Sequence, residues 1–140
     1  MRFHTKAHVR WDDLDAFGHV NNAKYLVFVQ EARFDLVSFD RIRRGFEPIL
    51  TDMVVGRAEI DFLLPIYVGG IDLDVAIWIT AIGNSSFAVA YELSSEARLH
   101  ARAKTIQVAV DMETKKSRPL SQEEREFLMA LLEPTRYSKI

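Results

Sequence analysis

Three aspartates, a glycine, a histidine and two asparagines stand together in Asp12-Asp13-Leu14-Asp15-Ala16-Phe17-Gly18-His19-Val20-Asn21-Asn22-Ala23-Lys24-Tyr25, directly before a long apolar run. A carboxylate in a loop at the start of a helix is equipped for acyl chemistry. The acid can attack a carbonyl or activate water, while free amides and the positive end of the helix dipole suit a developing oxyanion. Asp15 can take that part, or it can be a turn or capping acid. Asn21 and Asn22 can cap the first helical turn through their side chains. His19 can move a proton near neutral pH or bond the backbone and shape the loop. Asp12 and Asp13 read as loop acids. A divalent metal held by these acids and His19 is not expected, because no second ligand cluster lies elsewhere in the sequence.

The elements that must position this loop follow from hydrophobic period. Residues 6–11 alternate, with Ala7, Val9 and Trp11 opposite Lys6, His8 and Arg10, which predicts a half-buried strand. A helix is predicted from about Asn21 to Arg44, ended by Gly45 and Pro48. Its first half, Tyr25-Leu26-Val27-Phe28-Val29, is apolar on nearly every side; Val29, Ala32, Leu36 and Phe39 continue one stripe, and Lys24, Glu31, Asp35 and Ser38 mark a narrow polar one. A sheet covers one side of such a helix, so a second subunit is expected on the other.

Four further strands are predicted. Over 54–62, Val54, Ala58, Ile60 and Phe62 oppose Val55, Arg57, Glu59 and Asp61. Over 71–80, Ile71, Leu73, Val75, Ile77 and Ile79 share a face, and after a turn at Gly83-Asn84-Ser85-Ser86 so do Phe87, Val89, Tyr91 and Leu93. The last, about 101–110, sets Arg102 and Lys104 beside Ile106, Val108 and Val110. Ser121-x-x-Glu124 is a capping box before a short helix with Phe127, Leu128, Leu131 and Leu132, ended by Pro134. The order β-α-β-β-β-β-α predicts an α+β class, with a long buried helix against an antiparallel sheet.

Bulk properties exclude other classes. At 140 residues the chain is expected to be one domain over 1–140, with a loosely held tail from about 134. A net charge of −2 from 18 basic and 20 acidic residues gives no field to recruit nucleic acid. Zero cysteines exclude disulfides and thiolate catalysis. There is no signal-peptide core and no bilayer-length apolar run, so a cytoplasmic protein without membrane attachment is expected. Neither a Gly-x-Ser-x-Gly elbow, a phosphate-binding loop nor a dinucleotide fingerprint occurs.

The stretch Asp15-Ala-Phe-Gly-His-Val-Asn-Asn-Ala-Lys-Tyr25 resembles, nearly residue for residue, the active-site segment of hotdog-fold acyl-CoA thioesterases of the 4-hydroxybenzoyl-CoA thioesterase type. Glu59-Ile-Asp-Phe-Leu-Leu-Pro-Ile66 with Gly69-Gly70, and Ile82-Gly-Asn-Ser-Ser-Phe87, are similar to that family's proline-ended strand and central hairpin. The likeness covers roughly residues 5–120 by element order. It departs from the hydroxybenzoyl enzyme itself, which lacks the His-Val-Asn-Asn string, so hydroxybenzoyl specificity does not transfer.

The resemblance implies a hotdog fold, in which a five-stranded antiparallel sheet wraps a long central helix. It implies a homodimer, or a pair of dimers forming a tetramer, with two sites at the subunit interface. It implies hydrolysis of an acyl-CoA without metal or organic cofactor. Asp15 would be nucleophile or general base and the backbone N–H of Asn22 would polarise the thioester carbonyl. The chemistry of this family does not rest on a histidine here, so His19 is expected to be structural.

Tyr25 would line the acyl pocket or belong to the core; Phe28, Val29 and Phe62 are core first. Ser85 and Ser86 would meet the pantetheine or phosphates of coenzyme A, with Arg57, Arg102, Lys104, Lys115, Lys116 and Arg118 as phosphate partners. Three alternatives keep the fold: a carrier-protein thioesterase, a dehydratase using His19 with a carboxylate, and a non-catalytic acyl-CoA-binding protein. The intact Asp15 loop weighs against the last.

Overall fold

Alternation of apolar and polar residues turns one face of each central strand inward. The computed structural model describes residues 1–134. Five strands, β1 (Phe3–His8), β2 (Met53–Phe62), β3 (Asp72–Ile82), β4 (Ser86–Ser95) and β5 (Arg98–Ala109), form one antiparallel sheet in the order β1-β3-β4-β5-β2. Leu73, Val75, Ile77 and Ile79 of β3 and Phe87, Val89, Tyr91 and Leu93 of β4 are buried on the inner face, as their spacing predicts. Against that face lies one continuous helical run: α1 (Lys24–Phe34), a π-helical stretch (Asp35–Phe39) and α2 (Asp40–Arg43). Tyr25, Phe28, Val29, Ala32 and Leu36 form its buried stripe. This is the hotdog arrangement, with α3 (Gln122–Met129) as the short C-terminal helix.

Gly45, at φ +85°, closes the long helix in a Schellman turn, its N–H on Ile42 O (3.0 Å) and the Phe46 N–H on Arg41 O (2.8 Å). Ser121 caps α3 and Glu124 returns the bond to the Ser121 N–H, completing the predicted capping box. Arg118 donates bidentately to both Asp52 and Glu124 at 2.8–3.0 Å, pinning the entry to β2 and the exit from β5 onto α3. Among the described residues, no helix is long and apolar enough to cross a membrane.

Five expectations shift. The first strand runs earlier, and Trp11 leaves it for a short 3-10 turn (Trp11–Asp13), fully outside the core. The helix starts at Lys24 rather than Asn21, because residues 21–23 form a turn. The wider π turn breaks the 3.6-residue stripe, so Val37 and Ser38 are buried and Phe39 faces out. In β2 a bulge at Gly56 inserts one residue between Val55 and Arg57. Val55, opposite buried Gln107, therefore joins Ala58, Ile60 and Phe62 on the inner face, and Val54 turns outward. Finally, α3 ends before Pro134, where the chain pairs with β3 instead: Ile79 N–H to Leu131 O at 2.9 Å and Glu133 N–H to Ile79 O at 2.7 Å. The tail expected to be loosely held lies, beyond Pro134, outside the described residues.

Candidate active site

Asp13 anchors the acidic loop. Its carboxylate is fully buried and accepts the Arg10 N–H (2.8 Å) and guanidinium (2.9 Å), with the Lys24 ammonium 4.0 Å away. Burial pushes its pKa up, but the Arg10 bonds outweigh that and hold it below the ordinary aspartate value. Its carbonyl accepts the Asn21 N–H at 2.9 Å. From its sequence Asp13 reads as a plain loop acid; the signal of its ion pair is Arg10 three residues before it.

Between an antiparallel bridge of Leu14 with Val20, residues 15–19 close a tight loop. Asp15 N–H donates to His19 O (2.9 Å) and Gly18 N–H to Asp15 O (3.0 Å); Gly18 sits at φ +83°, where a side chain would be strained. Asp15 Oδ1 accepts the Phe17 N–H at 2.9 Å, leaving Oδ2 toward His19 Nδ1 at 3.9 Å. His19 Nδ1 donates to Val20 O at 3.2 Å, and its ring stacks on Phe17 and meets the edge of Tyr67. The imidazole thus shapes the loop.

The amides that follow are satisfied in turn, except one. Asn21 N–H bonds Asp13 O, Ala23 N–H bonds Asn21 Oδ1 (2.9 Å) and Lys24 N–H bonds Asn21 O (2.9 Å). Among the described residues nothing accepts the N–H of Asn22. Asn22 lines a cleft of about 220 Å³ with His19, Val20, Tyr25, Phe62, Leu64 and Pro65. Asp15 adjoins this cleft through His19. The residue with the unclaimed amide thus lines the cleft, and the Asp15 carboxylate lies behind it, 3.9 Å from the ring of the lining His19.

Tyr25 is buried, its ring edge-on to Phe62 (centroids 5.0 Å) and Phe28 (6.1 Å), and burial raises its pKa. It is both core and cleft wall. Phe62, expected in the core, is half exposed at the cleft. The other predicted substrate contacts lie elsewhere in the chain. Arg57 is on the outer face of β2, paired with Glu59. Ser85 and Ser86 are at the β3–β4 hairpin, on the rung of Val108 and Val54. The cleft is on the rung of Leu93, Ala101 and Phe62, about 24 Å away along seven residues of β4. Arg118 is occupied by two carboxylates. Among the described residues no three His, Cys, Asp or Glu side chains converge to hold a metal ion.

A thioesterase-like superfamily model matches residues 9–130. A 1,4-dihydroxy-2-naphthoyl-CoA hydrolase of Rippkaea orientalis is 31% identical, covering 94% of this chain and 95% of its own. Among solved structures, a predicted thioesterase of Bacillus stearothermophilus superposes with a TM-score of 0.81 at 25% identity, covering 96% of this chain and 99% of its own. A thioesterase of Thermus thermophilus, solved with coenzyme A and zinc, gives 0.74 at 29% identity, covering 91% and 92%. The helix-wrapping sheet is that of the hotdog thioesterases, and the chain is a thioester hydrolase. The chain belongs to the thioesterase-like superfamily.

Proposed function

We propose that the protein hydrolyses an acyl-CoA to the free acid and coenzyme A, with Asp15 as the reacting carboxylate. The thioester carbonyl oxygen accepts the Asn22 N–H, which withdraws electrons from the carbon. Asp15 Oδ2 then attacks that carbon, expelling the thiolate and leaving a mixed anhydride that water cleaves; or it takes a proton from water as the water attacks. The observation that carries this reading is the unclaimed N–H of Asn22, a residue of the cleft, with the Asp15 carboxylate 3.9 Å from His19 of the same cleft. The names of the Rippkaea and Thermus relatives support coenzyme A as the thiol half and an aromatic acid as the acyl half.

The working unit in this proposal is a homodimer. β2 is an edge strand of ten residues whose side chains are nearly all exposed in the single chain. Leu26, Val27 and Phe34 on the helix, and Phe62, Leu63, Tyr67 and Val68 by the cleft, are exposed apolar residues that a second copy would cover. Pairing β2 with its copy across a two-fold axis would close that edge.

Thiol release from short, long, branched and aromatic acyl-CoAs tests the reading, with Asp15→Asn beside the unaltered protein. Turnover by the latter should fall by on the order of a thousandfold or more in the variant. Full activity in Asp15→Asn would move the chemistry off this carboxylate. Turnover of acyl-carrier-protein thioesters alone would replace the coenzyme A half of the proposal.

A further inference from the structure

Residues 63–66, which follow β2, form a strap along the cleft, where Leu64 and Pro65 line it with Asn22 and Tyr25. The same two residues line another cavity, of about 490 Å³, together with Ser95 and His100. With open space on two sides, packing does little to fix Leu64 and Pro65, and hydrogen bonds must do it. Among the described residues the strap's backbone bonds only to His100 and Val20. His100 O accepts the N–H groups of Leu63 (2.9 Å) and Leu64 (3.1 Å), and His100 Nδ1 donates to Leu64 O at 3.0 Å. Ile66 O accepts the Val20 N–H at 2.8 Å, two residues before Asn22.

His100 reaches the strap because it is a bulge. β4 and β5 slip between the pairs Leu93–Ala101 and Ser94–Leu99, which leaves His100 without a partner on β4 and re-aims it. The residue is buried, and both ring nitrogens are engaged. A carbonyl only accepts, so the proton toward Leu64 O is on Nδ1. Nε2, 2.6 Å from Ser95 Oγ, then accepts from that hydroxyl, which sets the tautomer. We propose that His100 is a positioning residue of the active site: through Leu64 it fixes the cleft wall, and through Ile66 and Val20 it fixes the loop that presents the Asn22 amide. This rests on the thioesterase reading above. His100 touches no reacting atom in this scheme. Its effect falls on the aim of the Asn22 N–H, where an error of about 1 Å costs on the order of 100-fold in rate.

The test measures kcat and KM on the best acyl-CoA of the panel above, and amide hydrogen exchange by NMR, in the unaltered protein, His100→Leu, His100→Gln and His100→Asn. Asparagine sets an amide N–H near the place of Nδ1, glutamine sets it near Nε2, and leucine has none. In His100→Leu and His100→Gln kcat should fall by on the order of 10–100-fold with KM within about threefold, and His100→Asn should stay within about threefold in kcat. The Val20 amide should exchange about tenfold faster or more in the two impaired variants, while amides of β3 and β4 keep their protection, so that the loosening is local. Equal kcat in all four proteins, or an asparagine variant as slow as the leucine one, would overturn the proposal and leave the thioesterase reading standing. Absence of turnover by the unaltered protein on every acyl-CoA would sink that reading instead. Val20 exchange then decides the positioning: faster only in His100→Leu and His100→Gln supports it, and unchanged exchange overturns it. Should His100→Leu fail to fold, His100→Gln against His100→Asn carries the same comparison.

Discussion

Asn22 offers a donor that substitution to alanine cannot remove, because the group is its backbone N–H. Asn22→Ala should keep the turnover rate within about threefold, whereas Asn22→Pro, which deletes the donor, should cost on the order of 100–1,000-fold. Matching rates in the two variants, both folded by circular dichroism, would take this amide out of the mechanism. Asp13 acts one step back, through the loop. Its pKa is lower in the folded chain than free, so its stabilisation is complete above the ordinary carboxylate range and is lost as pH falls through the lowered value. Asp13→Asn should cost about 2 kcal/mol at pH 7, or roughly 6–10 °C in Tm, and the gap between the two melting curves should narrow below about pH 4. A gap that stays constant from pH 7 to pH 3 would contradict the ion-pair account. At this scale the loop around Asp15 was legible, since Asp15 and Gly18 close it through bonds to neighbours in sequence. The burial of Asp13 was not, because it depends on Arg10 folding back over the turn.

Elements were legible wherever the period ran unbroken, as in β3 and β4, whose inner faces follow the alternation residue by residue. They were misread where one residue shifts the phase. Gly56 does so in β2 and the π stretch does so in the helix, each adding a residue that the regular period does not count. Joints between elements were hidden too. Arg118 reads from sequence as a free cation able to hold a phosphate, yet it bridges Asp52 before β2 and Glu124 in α3. The pKa of Glu124 is lowered chiefly by its bond to Arg118. Arg118→Met should therefore cost about 2 kcal/mol in urea unfolding, as two carboxylates lose their shared partner, while the KM for an acyl-CoA stays within about twofold. A raised KM with unchanged stability would return Arg118 to the substrate.

At the scale of the whole molecule, the proposed machinery is divided along a single chain. The carboxylate and amide stand at one end of β2, while the predicted coenzyme contacts Ser85 and Ser86 stand about 24 Å away on the rung of its other end. A two-fold axis through β2 is the simplest operation that brings unlike ends together, and it also closes an exposed edge strand. The helix gives a handle on this. Leu26 and Val27 are exposed in the single chain, so replacing both by aspartate should change the stability of an isolated subunit by less than about 1 kcal/mol. At a dimer seam the same change buries unpaired charge and should split the assembly. The expected outcome is a dimer mass for the unaltered protein in sedimentation velocity, a monomer mass for Leu26→Asp/Val27→Asp, and loss of thiol release in step with dissociation as both proteins are diluted. A folded monomeric variant with full turnover would mean that each chain carries a complete site, and the proposal of a dimer as the working unit would fall with it.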